Sequence, residues 1–307
     1  MPSDEAKVPN LFMVGAAKSA TTSIYNYLKK HPEIFFSDPK EPRYLSYKHE
    51  QFPHNGPNGE YYDSTFIKTK EDYMDLFKEA ANEKVIGEAS IQYLYFPQIA
   101  LDIKEIYPDA KVIICLRNPI DRAYSSYMHN VRSGYENLSF YDALQKEEER
   151  IELNYPFLWH YKEVGLYYKQ VKKYLEVLGK ENVKIVLYED INNNTQEVLK
   201  DICEFLGVNA DYEFQDAGQV YNRSGRSSNP IINYLIKQNL LKKIMKHPKV
   251  PKFIRNISYT MYHQLLTKFL KKEKMHEKER AYLKDYYKRD VLLLGDLINR
   301  DTAHWIE

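Results

Sequence analysis

The chain of 307 residues is short of several things that would define its class at once. It has two cysteines, Cys115 and Cys203, too few for a disulfide framework and without the paired spacing of a metal site. Both fall in apolar patterns, where reduced and buried side chains are expected. Lysine plus arginine (44) almost balances aspartate plus glutamate (43), so the chain as a whole is no general binder of nucleic acid or other polyanions. No apolar run approaches the ~18 residues that a membrane-spanning helix needs. The polar, acidic start "MPSDEAKVPN" lacks the apolar core of a secretory signal. These absences lead to the expectation of a reducing, cytoplasmic setting, and not of a Golgi glycan enzyme.

What is present, 43% hydrophobic and 28% charged residues, is the balance of a globular protein. Four apolar runs, "LFMVGA" (11–16), "KVIGEA" (84–89), "KVIICL" (111–116) and "KIVLYE" (184–189), are continuous rather than alternating. That is the pattern of strands buried on both faces of a mainly parallel sheet. Helical patterns follow at 21–30 and from Pro119 to about Arg132, then near 140–150, 160–178 and 195–206. Pro32 stops the first of them and Gly207 the last. Strand and helix in alternation predict an α/β fold, one domain over residues 1–307, with a helical C-terminal part. Residues 47–65, rich in Pro, Gly, Asn and Tyr, are expected as a long surface loop or lid.

Between Ile231 and Met275 the composition shifts, with eleven lysines and arginines against Glu273 alone, a net charge of +10. Apolar residues recur there at helical spacing. Helices packed on the sheet with a solvated basic face fit this pattern. So does a docking surface for an anionic acceptor, or peripheral contact with a membrane.

The chemistry begins at "GAAKSATTS". An apolar strand ends at Gly15, Lys18 stands in the turn, and Thr21, Thr22 and Ser23 open a helix. Free backbone N–H groups, the helix dipole and a lysine charge converge in such a turn to hold an anion. The nucleotide loop G-x-x-x-x-G-K-[ST] is absent, because no second glycine precedes Lys18. A metal-dependent NTPase would also need an acid at the end of a later strand. The strand at 111–116 instead ends in Arg117, which repels a metal ion and grips phosphate with forked hydrogen bonds. Asp121 lies inside the following helix, where pairing with Arg122 or capping is expected. Two anion sites at neighbouring strand ends, with no metal, suit a nucleotide phosphorylated at both its 5′ and 3′ positions.

"VGAAKSATTSIYNYL" resembles the 5′-phosphosulfate loop of sulfotransferases that use 3′-phosphoadenosine 5′-phosphosulfate (PAPS), and "KVIICLRNPIDRAYSSYMH" resembles their 3′-phosphate segment. "DPKEPRYLSY" and "GEASIQYLYFP" resemble segments of the heparan-type and bacterial members. The likeness runs through nearly the whole chain in the right order. It implies the P-loop-like sulfotransferase fold and a metal-free transfer of a sulfuryl group from PAPS, leaving adenosine 3′,5′-bisphosphate (PAP).

Residue by residue, the resemblance implies Lys18 at the leaving 5′-phosphate, with Ser19, Ala20, Thr21, Thr22 and Ser23 around it. Arg117 and Ser125 are implied at the 3′-phosphate. Arg223, Ser224, Gly225 and Arg226 match a basic loop that the family closes over the nucleotide. Glu41 stands where heparan-type relatives carry a catalytic glutamate, and it could serve as base if burial raises its pKa or if Lys40 and Lys18 orient it. A histidine is the rival base, with His129 and His54 the first alternatives. Lys40, Arg43, Tyr44, Ser90 and His129 are candidate acceptor contacts. Relatives often show a histidine where Arg43 stands, and some show a lysine where Ala89 stands.

The 28 tyrosines, among them Tyr44, Tyr47, Tyr61, Tyr62, Tyr93 and Tyr95, suit small molecules, glycolipids and glycans alike as acceptors. A small-molecule or nucleotide kinase with an atypical loop, or a binding protein that has lost its chemistry, are the other readings.

Overall fold

In the computed structural model, residues 7–215, 217–218, 226–227, 270–271 and 274–307 are described. The chain opens with β1 (Leu11–Gly15), α1 (Thr21–Leu28) and β2 (Ile34–Phe36). Two short helices, α2 (Gly59–Asp63) and α3 (Lys70–Asp75), precede β3 (Val85–Glu88), α4 (Ile99–Ile106) and β4 (Lys111–Leu116). Then come α5 (Pro119–Arg132), α6 (Phe140–Gln145), α7 (Glu147–Glu152), α8 (Tyr167–Leu178) and β5 (Val183–Leu187). The chain continues with α9 (Tyr188–Asn193) and α10 (Thr195–Leu206), and its last long helix is α11 (Glu277–Ile298). A small antiparallel pair joins Arg226–Ser227 to Leu270–Lys271.

The strands form one parallel sheet in the order β2-β3-β1-β4-β5. The four expected runs are its four longer members, and the three-residue β2 completes it. Continuous apolarity has the anticipated cause. Phe12 and Val14 of β1 face a core built with α4, α5, α8 and α11, while Leu11 and Met13 face a second core with α1 and α10. In β4, Val112, Ile114 and Leu116 divide from Ile113 and Cys115 in the same way. Cys115 and Cys203 are free and buried, and burial pushes their thiols up to about 12 and about 11. Helix α10 ends as expected at Gly207, which takes a left-handed φ of 74°.

Two expectations need correction. The 47–65 segment is no bare loop, because Tyr62 and Phe66 bury an aromatic cluster with Phe157. His54 pins it further, with Nδ1 2.6 Å from Asp63 Oδ1 and Nε2 3.4 Å from Glu50 Oε2. Asp121 does not pair with Arg122; it accepts from Arg280 Nη2 of α11 at 3.0 Å. The Arg122 side chain turns into the core instead and donates to the Tyr161 carbonyl oxygen. Of the basic stretch 231–275, all but 270–271 and 274–275 lies outside the described residues.

Strand order positions the site. From β1 the chain turns toward β2, and from β4 it proceeds toward β5 on the opposite side. The carboxyl ends of β1 and β4 therefore flank a topological switch point, the place where open α/β sheets hold their ligands.

Candidate active site

The turn after β1 forms without the second glycine. Lys18 and Ala20 themselves take left-handed φ values of 70° and 64° on either side of Ser19. The one glycine kept, Gly15, is required by packing. A Cβ there would lie 2.7 Å from Leu94 Cβ and 3.0 Å from the Ile91 carbonyl oxygen. The Ala16 N–H donates to the Cys115 carbonyl at 2.6 Å, and Ala20 starts α1 with no side-chain cap. N–H groups of the first turn are thus left for a ligand or for water. Ser19, Thr21 and Ser23 are buried, and Thr22 is half-buried.

Arg117 reaches across the switch point. Its Nη1 donates to the Lys18 carbonyl at 3.2 Å, and its guanidinium carbon lies 4.5 Å from the Tyr188 ring centroid. Helix α5 starts cleanly behind it, with Asn118 Oδ1 accepting from the Ile120 N–H at 2.9 Å and Pro119 at the first turn. Its residues Arg122, Ser125, His129 and Arg132 recur at helical spacing along one stripe. Ser125 is buried, and His129 Nδ1 lies 3.3 Å from Arg132 Nη2.

These residues crowd positive charge around the loop. Burial, and then the charges of Arg132, Arg117 and Arg122, bring Lys18 down to about 7, with Glu41 opposing them. Arg122 and Arg132 were not among the expected site residues. Their spacing from Ser125, three residues before and seven after, is the signal that would have found them.

On the other side of β1, Lys40, Glu41, Arg43 and Tyr44 share one loop, while Ser90 follows β3 and His129 lies in α5. Lys40 Nζ lies 3.5 Å from Thr22 Oγ1 and 3.2 Å from Glu41 Oε1. Arg43 Nη2 donates to Glu41 Oε2 at 2.8 Å and Nη1 to Thr65 Oγ1 at 2.9 Å, with the guanidinium over the Tyr62 ring. Glu41 and Arg43 take left-handed φ values of 65° and 61°. Of the six non-glycine residues with positive φ among the described residues, four lie in these two loops. Such conformations cost about 1–3 kcal/mol each and concentrate where ligands bind.

Burial raises the Glu41 pKa, but Lys40 and Arg43 outweigh it and the carboxyl is held below its usual range. Burial therefore does not lift the Glu41 carboxyl above its usual range, and the side chains in contact with it are Lys40 and Arg43. Tyr44 stacks on Tyr73, with centroids 4.4 Å apart. Ser90 is fully buried, accepting from the Arg43 N–H at 3.0 Å and donating to Glu88 Oε2 at 2.7 Å, so it has no face toward an acceptor. Ala89 is buried and adds no cation. Among the rival bases, His54 is held between two carboxylates. His160, hydrogen-bonded to the Tyr95 hydroxyl and the Tyr155 carbonyl, is brought down to about 4 chiefly by burial. Arg223, Ser224 and Gly225 lie outside the described residues; the backbone of Arg226 belongs to the small antiparallel pair, which runs alongside α5.

Comparison with known proteins agrees with this geometry. A family model described as the sulfotransferase family matches residues 9–212. Carbohydrate sulfotransferase 15 of Mus musculus is 27% identical over 265 residues, covering 68% of this chain and 46% of that protein. The membrane-associated sulfotransferase kil1 of Dictyostelium discoideum is 31% identical over 172 residues, covering 54% of this chain and 34% of that protein. The chain thus spans less than half the length of either relative.

Among solved structures, a sulfotransferase from Alicyclobacillus acidocaldarius is 34% identical with a TM-score of 0.79, and the match covers 98% of this chain and all of that one. Mouse sulfotransferase SULT7A1, solved with PAP, has the same fold at 14% identity, with a TM-score of 0.50 and coverage of 98% and 88%.

The expected cytoplasmic setting does not stand. Relatives that are carbohydrate and membrane-associated sulfotransferases point away from it. The expectation rested on what this sequence does not show, and the match spans less than half the length of those relatives. No helix among the described residues is long and apolar enough to cross a membrane. With the strand–turn–helix around Lys18, the arginine at the end of β4 and a family match over residues 9–212, this chain belongs to the sulfotransferase family.

Proposed function

We propose that the protein transfers a sulfuryl group from PAPS to a hydroxyl or amine of a carbohydrate acceptor, within a single domain formed by the whole chain. The observation that carries this reading is the turn at the switch point, where Lys18 and Ala20 are left-handed and Arg117 Nη1 donates to the Lys18 carbonyl at 3.2 Å; burial first, and then the charges of Arg132 and Arg117, bring Lys18 down to about 7. Clustered positive charge fits phosphate groups, and a left-handed turn with uncapped N–H groups fits the 5′ one. The PAP in SULT7A1 and the carbohydrate in the name of the mouse relative support the choice of donor and acceptor class. Arg117 stands at the end of β4, where a metal-dependent kinase would carry an acid, so transfer in EDTA is expected.

PAPS supplies a sulfuryl group on a phosphate that leaves as a dianion. Lys18, with Ser19, Thr21, Thr22, Ser23 and their N–H groups, would neutralise that leaving phosphate. Arg117, Ser125 and Arg132 would hold the 3′-phosphate, joined by Arg223, Ser224, Gly225 and Arg226. Glu41, ionised and aimed by Lys40 and Arg43, would take the proton from the acceptor. Tyr44 and Arg43 would contact the acceptor, with His129 near the nucleotide end.

The test is transfer of labelled sulfate from PAPS to a panel of oligosaccharides, with mass spectrometry of the product. PAP should raise the melting temperature. Lys18→Ala should cost about 10² or more in kcat and Glu41→Gln about 10²–10⁴. No stabilisation by PAP and no transfer to any acceptor would overturn the reading.

A further inference from the structure

Glu88 at the end of β3 is fully buried, yet nothing in the chemistry above uses it. Its Oε1 accepts from the Tyr73 hydroxyl at 3.1 Å and its Oε2 from Ser90 Oγ at 2.7 Å. The Tyr93 hydroxyl lies against the same carboxyl and Ser90. Two of these hydroxyls hold the loop that carries Glu41. Ser90 Oγ accepts from the Arg43 N–H at 3.0 Å, and the Tyr93 hydroxyl accepts from the Leu45 N–H at 3.1 Å.

A hydroxyl whose proton is committed to a carboxylate is left with lone pairs only, and is the better acceptor for it. Backbone N–H groups at Arg43 and Leu45 need such partners, because Leu45 is buried and the left-handed residues Glu41 and Arg43 resist their own conformation.

We infer that Glu88 is a positioning residue: through Ser90 and Tyr93 its carboxylate clamps the main chain at Arg43 and Leu45 and so fixes Glu41 beside the phosphate loop. The functional part of this inference rests on Glu41 acting as the base; the clamp itself does not. Glu88 cannot touch an acceptor, being sealed among Tyr73, Ser90 and Tyr93. Burial pushes its carboxyl up to about 7, with Glu41 also raising it against the three hydroxyls. Tyr107 and Tyr174 are the other titratable groups that feel its charge. The ionised form, which accepts from Tyr73 and Ser90 together, is favoured above about pH 7, and the clamp should loosen as pH falls below it.

Amide hydrogen exchange, expressed as protection factors, tests the clamp directly. Ser90→Ala should cut protection at Arg43, and Tyr93→Phe at Leu45, each about tenfold or more. Glu88→Gln should cut both, because an amide presents one oxygen where the Tyr73, Ser90 and Tyr93 hydroxyls share two. Protection at Ala16 and Leu94, held by the sheet, should be unchanged and reports that each variant is folded. In the native protein, protection at Arg43 and Leu45 should fall as pH drops below 7, and in Glu88→Gln it should not.

Kinetically, Glu88→Gln should lower kcat about tenfold with the KM for PAPS unchanged, and the loss should vanish in a Glu41→Gln background. Unchanged protection at Arg43 and Leu45 in folded Glu88→Gln overturns the inference whatever the kinetics show. Reduced protection with losses in kcat that simply multiply overturns its functional part. If Glu41→Gln keeps full activity, the base assignment falls, and the exchange data alone still decide the clamp.

Discussion

Arg43 Nη2 donates to Glu41 Oε2 at 2.8 Å, and this contact together with Lys40 outweighs the burial of the carboxyl. A carboxylate held below its usual range is a weak base but one that stays ionised. Arg43→Met removes the stronger geometric partner and leaves burial less opposed. The Glu41 pKa then rises, and because only the ionised form accepts a proton, the acid limb of kcat/KM against pH moves to higher pH. A limb that stays in place in Arg43→Met would detach Glu41 from the rate.

Lys18, brought down to about 7, is largely neutral above that pH in the free protein. A dianionic phosphate beside it favours the charged form, so PAP binding at pH 8 should take up roughly 0.9 proton, the fraction missing one unit above the pKa. Calorimetry in buffers of different ionisation enthalpy measures this uptake. It should disappear in Lys18→Met, and PAP affinity of the native protein should weaken as pH rises from 7 to 9.

Gly15→Ala places a Cβ 2.7 Å from Leu94 Cβ and 3.0 Å from the Ile91 main-chain oxygen. No rotamer change relieves either contact, so the backbone must move. A loss of about 1–3 kcal/mol is expected, read as a lower denaturation midpoint with an unchanged m-value.

Ala20→Gly works in the opposite direction. Ala20 holds a φ of 64° that glycine adopts freely, while glycine gains entropy in the unfolded chain. The net gain should be up to about 1 kcal/mol, and Ala20→Val should lose at least as much. Destabilisation by glycine would mean that the Ala20 methyl contributes more by packing than its backbone costs.

Much of the strand–turn–helix geometry around Lys18 and Arg117 was legible because its determinants are local. A strand, a turn and a helix start are read from consecutive residues, and Arg117 and Ser125 lie within one strand–helix segment. Helical spacing from Ser125 would have extended the stripe to Arg122 and Arg132. The left-handed Lys18 and Ala20 were not legible, since the chain asks for glycine-like geometry there and supplies other residues. Glu88 was hidden for a different reason: Tyr73, Ser90, Tyr93 and the Arg43 N–H come from separate segments and meet only through the fold. The composition of 47–65 suggested a loop, and its aromatic residues turned out to build a small core beside Arg43.

The strand order has a consequence for how such a protein can change. The loop of Glu41 and the 47–65 segment attach on the β2–β3 side, while the arginine stripe hangs from β4, and β1 stands between them. The Glu41 loop meets the phosphate turn between Lys40 and Thr22, whereas the 47–65 segment crosses to the far side, where Asn55 donates to the Leu153 carbonyl and Asn58 accepts from Trp159. A change in the Glu41 loop can therefore stay local, whereas a change in the 47–65 segment must carry the 153–159 turn beneath α5 along with it.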